Sequence, residues 1–215
     1  MRNHLVLIKT GIAVLLLLQV LPTILAAAED RPVDRFKDNL RQALAIRYDP
    51  NLQGPERQAD QKRQIWALVD AAFDEESINP LILRRTWPDL TPEARAMLHP
   101  AMGWAIKWKF IGKLYKYNVR DISFKEEGIE GDRYLLHARI GTGMFNHRTT
   151  FVFLPKNSGW VAVDIIVSGV SLIEHYRRKF DNTFSRSGLS GLMKHLADEV
   201  NEEFAEMGYA PATTP

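Results

Sequence analysis

The chain has 215 residues, with 28 Lys and Arg against 26 Asp and Glu, six histidines and no cysteine. The missing cysteines exclude disulfides, zinc–thiolate sites and a thiol-linked lipid anchor. A formal net charge of +2 is a poor basis for nucleic-acid binding, whose affinity comes largely from clustered Lys and Arg neutralising phosphates.

Residues 1–28 have the layout of a secretory signal peptide. Arg2 and Lys9 make a positive start, residues 12–18 are an unbroken apolar run, Pro22 breaks the helix, and Ala26-Ala27-Ala28 offer small residues for cleavage before Glu29. An uncleaved anchor is the alternative, since residues 11–28 are apolar. Gln19 and Pro22 weaken that reading against the ~20 predominantly apolar residues of a spanning helix. Cleavage removes two basic residues and no acid, which leaves 26 of each sign on the exported chain. That chain is expected to be soluble, with one domain at 29–208 and a flexible tail at 209–215.

Helices come first. Val33, Phe36, Leu40 and Leu44 recur at helical spacing, which predicts an amphipathic helix over 32–46. A second helix is predicted over 56–73, with Ile65, Leu68, Val69, Ala72 and Phe73 on one side, and a short third over 77–87. Thr91 as N-cap and Pro92 at the first helical position start a fourth. Pro100 disfavours helical geometry at His99, so a kink or break is expected there. The helix then continues over 101–117 with Met102, Phe110 and Leu114 turned inward.

From Val119 the period changes to two, predicting strands over 119–126, 133–143, 147–154 and 160–167. Tyr134, Leu136, Ala138 and Ile140 share one face of the second strand. Phe151 and Phe153 share a face of the third, and Val161, Val163 and Ile165 a face of the fourth. A helix over 171–186, a break at Ser187-Gly188 and a helix over 189–207 close the chain. Four antiparallel strands buried by helices form an α+β sandwich.

No catalytic set assembles from these residues. Ser171 with Glu174 three residues on reads as a capping box, which commits its hydroxyl to backbone N–H groups rather than to nucleophilic attack through His175. Asp164 reads as the structural ion-pair partner of Arg177, because a general base would want a second acid or a histidine beside it. The five histidines after residue 28 have no metal-motif spacing, and Gly141-Thr142-Gly143 leads into a hairpin rather than a phosphate-cradling helix. Neither a metal nor a cofactor is expected.

The run from Trp160 to Phe180 resembles the signature of the MlaC family. The matching residues are Trp160, Asp164, the Gly169-Val170-Ser171-Leu172 corner, then Tyr176, Arg177 and Phe180. The resemblance implies a curved four-stranded sheet and helices around an apolar pocket for acyl chains, and a periplasmic non-enzyme. Such a carrier moves phospholipid between an outer-membrane lipoprotein complex and an inner-membrane ABC transporter complex. It implies a pocket lined by the inward strand residues above together with Met102, Phe110, Leu114, Val170 and Ile173. A hopanoid- or sterol-binding relative of the same fold and a ligand-free envelope adaptor are the competing readings.

Overall fold

A computed structural model describes residues 32–143, 145–156 and 159–206. The expected signal peptide and the 209–215 tail lie outside the described residues. Helix α1 (Pro32–Arg47) buries Val33, Phe36, Leu40 and Ala43 along one stripe, as its periodicity requires. Helix α2 (Pro55–Ala72) starts with Pro55 at a first-turn position, behind Gly54 at φ 97°.

Helix α3 (Glu75–Ile82) starts and ends earlier than its pattern suggests. Asp74 is its N-cap, and the carboxylate accepts the Ser77 backbone N–H at 3.1 Å. Trp87, expected as the helix's last residue, instead opens a separate 3-10 turn over 87–89 before Thr91 caps helix α4 (Pro92–Lys116).

Helix α4 continues through Pro100 without the break expected there. The buried Asn79 amide lies 2.9 Å from His99 Nδ1 and donates to the His99 carbonyl at 3.1 Å, clamping the helix at the proline.

Strands β1 (Asp121–Glu130), β2 (Arg133–Gly141), β3 (Asn146–Lys156) and β4 (Gly159–Val167) pair antiparallel in chain order. The sheet does not stop at the four strands expected. Ser168 and Gly169 both take left-handed φ values, 50° and 86°, the signature of a tight hairpin turn. The chain therefore folds back, and β5 (Val170–Ser171) pairs with Val167 and Ile166. At the other end of the β4 edge Phe73 forms a parallel bridge to Ala162, a sixth segment of one residue.

A bulge shifts the β3–β4 register between Val152 and Phe153, leaving Val163 with no partner on β3. Bulges reverse the alternation of side chains. Val161 and Val163 consequently face α3, α4 and α5, whereas Ala162 and Ile165 face α1. The shared face expected for Val161, Val163 and Ile165 is corrected on this ground.

Both faces of the sheet are thus covered. Helix α5 (Leu172–Glu206) lays Ile173, Tyr176 and Phe180 on one face, and turns at Gly188, φ 61° and ψ −161°, where the break was expected. Helix α1 covers the other face with Val33, Phe36 and Leu40.

Candidate functional site: the apolar layer under the first helix

Phe36 is the hub of the layer between α1 and the sheet. Its ring meets Phe151 at 4.9 Å, Phe153 at 5.1 Å and Phe73 at 6.1 Å, all edge to face. Leu136, Ala138, Phe151, Phe153 and Ile165 lie buried in this layer, with Tyr134, Ile140 and Phe110 packed at its margin. Eight of the fourteen residues expected to line one pocket therefore share this layer.

The other six are placed elsewhere. Met102, Val163 and Ile173 are buried on the opposite face with Val161 beside them, and Leu114 sits in a third group between α1, α2 and α4. Val170 projects from the β4–β5 turn and is 59% exposed.

A half-open cleft of about 230 Å³ leads into the layer. Phe36, Phe73, Phe153, Trp160 and Ala162 supply apolar walls, and Arg35, Asn39 and Asp74 a polar rim. Val33, Phe36, Leu40 and Phe73 were visible in the sequence as helix stripes. Nothing in a stripe tells which sheet face a helix covers.

The rim is charged and fastened. Burial works to raise the Asp74 carboxyl, but hydrogen bonds from Ser77 and Lys156 outweigh it and hold it below the usual carboxylate range. Lys156 Nζ lies 2.9 Å from Asp74 and 2.8 Å from Glu76. Further along α1, burial opposes ionisation of Lys37, but its contacts with Glu127 and Asp34 raise its pKa overall. Burial, then Glu127, pushes Tyr134 up, so its phenol stays protonated at the margin of the layer.

The motif residues hold the opposite face together. Asp164 accepts from the Ser171 hydroxyl at 2.6 Å, from the Ile165 N–H at 2.8 Å and from the Ile173 N–H at 3.0 Å. It does not pair with Arg177 as expected, because three neutral donors already occupy it. Arg177 instead donates to the Leu81 carbonyl at 2.7 and 3.0 Å, stabilising the C-terminal end of α3. Ser171 accepts the Glu174 N–H at 3.1 Å, and the Glu174 carboxylate turns to Arg177, so half of the capping box is made. Tyr176 and Phe180 pack at 5.2 Å. Trp160 lies 5.6 Å from Tyr134 at the cleft.

Fold and site define an α+β protein with an apolar layer reached through a cleft. A family model, the MlaC protein, matches residues 37–198, and the chain belongs to that family. Among solved structures it is similar to the phospholipid-binding protein from Ralstonia solanacearum, determined in complex with a phospholipid. That match has a TM-score of 0.65 and 21% identity, over 80% of this chain and 98% of the other. No curated protein matches the chain by sequence.

Proposed function

We propose that the protein is a soluble periplasmic carrier that binds phospholipid acyl chains in the layer between α1 and the sheet. It passes the lipid between an outer-membrane lipoprotein complex and an inner-membrane ABC transporter complex. The observation that carries this reading is the cleft at Phe36, Phe73 and Trp160, which opens onto an aromatic layer in a chain of the MlaC family. Membership and the phospholipid held by the Ralstonia protein support the ligand class.

The physics of the task fits a carrier without chemistry. About thirty methylenes of a two-chain lipid cost ~0.8 kcal/mol each in water, a barrier above ~20 kcal/mol to free diffusion. Shielding the chains removes that barrier and asks for no nucleophile or metal. At about 230 Å³ the cleft falls below the ~300–1,000 Å³ of ordinary ligand pockets. Lipid must therefore widen it, with α1 moving off the sheet as acyl chains take over its apolar contacts.

Native mass spectrometry of the purified protein tests the reading, since it weighs any bound ligand directly. A phospholipid mass at near-stoichiometric occupancy is expected. A rigid polycyclic lipid would point to the hopanoid-type relative. Folded protein that is repeatedly empty, and takes no lipid from vesicles, would leave the adaptor.

A further inference from the structure

One end of the sheet combines exposed apolar side chains with unpaired positive charge. Seven large hydrophobic residues are prominently exposed among the described residues, and four of them belong to this end. Phe145, 65% exposed, sits on the β2–β3 turn; Val167 and Val170 flank the β4–β5 turn; Tyr117 ends α4 just before β1. The register places them together. Arg120 N–H bonds the Gly141 carbonyl at 2.8 Å, and Ser168 N–H bonds the Arg148 carbonyl at 2.8 Å, tying the three chain reversals into one rim.

The charge beside these tips is unusual. Arg139 and Arg148 are directly opposed across β2 and β3, and both are exposed. Like charges at such positions repel and weaken the pairing of strands. Neither arginine has an ion-pair partner among the described residues. The adjoining Arg120 stacks on Tyr48 at 5.3 Å and is likewise in no ion pair. Asp121, whose carboxylate lies over Gly141, is the acid on the same stretch of β1. A fold that tolerates opposed arginines gains when an anionic surface neutralises both.

We infer that this rim docks the protein on an anionic lipid bilayer, with Phe145 and Val170 entering the headgroup region and Arg139 and Arg148 meeting phosphates. The exposed tips sit on three separate chain reversals. A few apolar side chains on separate turns are far from the packed core of an interface of ~1,000 Å² or more that a stable protein partner needs. They do suit shallow, reversible insertion beside basic residues, the usual recipe for interfacial binding. The rim lies at the opposite end of the strands from Trp160 and the cleft, so docking leaves the cleft unobstructed.

The test is vesicle flotation of processed protein with phosphatidylglycerol-rich and pure phosphatidylcholine vesicles. Wild-type protein is expected to float with the first and not the second, less so as salt rises. Arg139→Glu should lower that partitioning about 25-fold, at roughly five-fold per unit of charge near an anionic surface. The same substitution converts the opposed arginines into an ion pair, so its melting temperature should hold or rise, and lost binding cannot be read as unfolding. Phe145→Ser with Val170→Ser should lower flotation with the charge unchanged. Equal flotation of all variants, or of wild type on both vesicle types, would overturn the inference. So would variants that float normally and lose only capture by an acidic protein partner. Lipid content weighed on the same samples should not change between variants; an empty protein that still floats would sink the carrier reading and leave this one standing.

Discussion

Replacing Phe36 by alanine puts the two descriptions of the α1 layer, dense core and lipid site, in direct conflict. Phe36 is 3% exposed, touches three other aromatic rings and forms part of the cleft wall. Truncating a buried phenylalanine typically costs ~3–5 kcal/mol. Three edge-to-face contacts, each about 0.5–1.5 kcal/mol beyond area burial, place Phe36→Ala toward the top of that range. For a domain this size 1 kcal/mol moves the melting temperature by ~2–4 °C, so delipidated Phe36→Ala should melt roughly 10–20 °C below wild type. The void it creates is continuous with the cleft and open to acyl chains. Lipid should therefore restore more stability to the variant than to wild type, read by calorimetry on delipidated and vesicle-reloaded samples. A fall that is the same with and without lipid, at unchanged lipid content, would show that the ring is ordinary core and that acyl chains go elsewhere.

Asp164→Asn keeps the shape of the β4–α5 junction and an amide oxygen that accepts, but removes the charge that three donors share, a loss of about 1 kcal/mol for each bond that turns from charge-assisted to neutral. Hydrogen exchange at the Ile173 and Glu174 amides should accelerate, while exchange along α1 stays as in wild type. Lys62, 1% exposed, has its pKa lowered to about 8 by burial and by Arg47. The folded protein releases that proton near pH 8 and the unfolded chain holds it to about 10.5, so stability contributed here rises with pH across that window. Wild type should gain up to about 3 kcal/mol over Lys62→Met between those limits, at ~1.4 kcal/mol per pH unit; parallel melting profiles for the two proteins would refute the assignment.

Periodicity exposed the helices and the four long strands because each repeats one simple spacing over many residues, and the Ser187-Gly188 pair marked the turn at Gly188. It failed where one residue changes the count. The Val163 bulge inverts the parity of β4, and nothing in an alternating run announces it. Strand β5 is two residues long and arises from backbone φ at Ser168 and Gly169, so hydrophobicity carries no trace of it. The lipid set suffered from both. Residues chosen for being apolar and inward were distributed over two sheet faces, because apolar strands look alike whichever side they bury. Asp164 drew notice as a polar residue in such a strand, yet its partners are backbone N–H groups that no spacing rule reveals.

The two faces are held by different forces, and this asymmetry bears on how a carrier opens. Across the α5 face, Asp164 joins β4 to Ser171 and Ile173, and Arg177 joins α5 to the end of α3. Separating those elements would leave partly buried polar groups unpaired at about 1–3 kcal/mol each. The α1 face is joined to the sheet by edge-to-face rings and aliphatic contacts, with the Lys37–Glu127 pair at its margin. Dispersion contacts are also made by methylene groups, so an acyl chain can replace the apolar contacts that α1 gives up, and the Lys37–Glu127 pair at the margin is the polar contact that must part. Opening on the α1 side exchanges one apolar partner for another, whereas opening on the α5 side would cost its full polar penalty. Lipid uptake should consequently slow hydrogen exchange in β2 and β3 and loosen α1, leaving the first turns of α5 as protected as before.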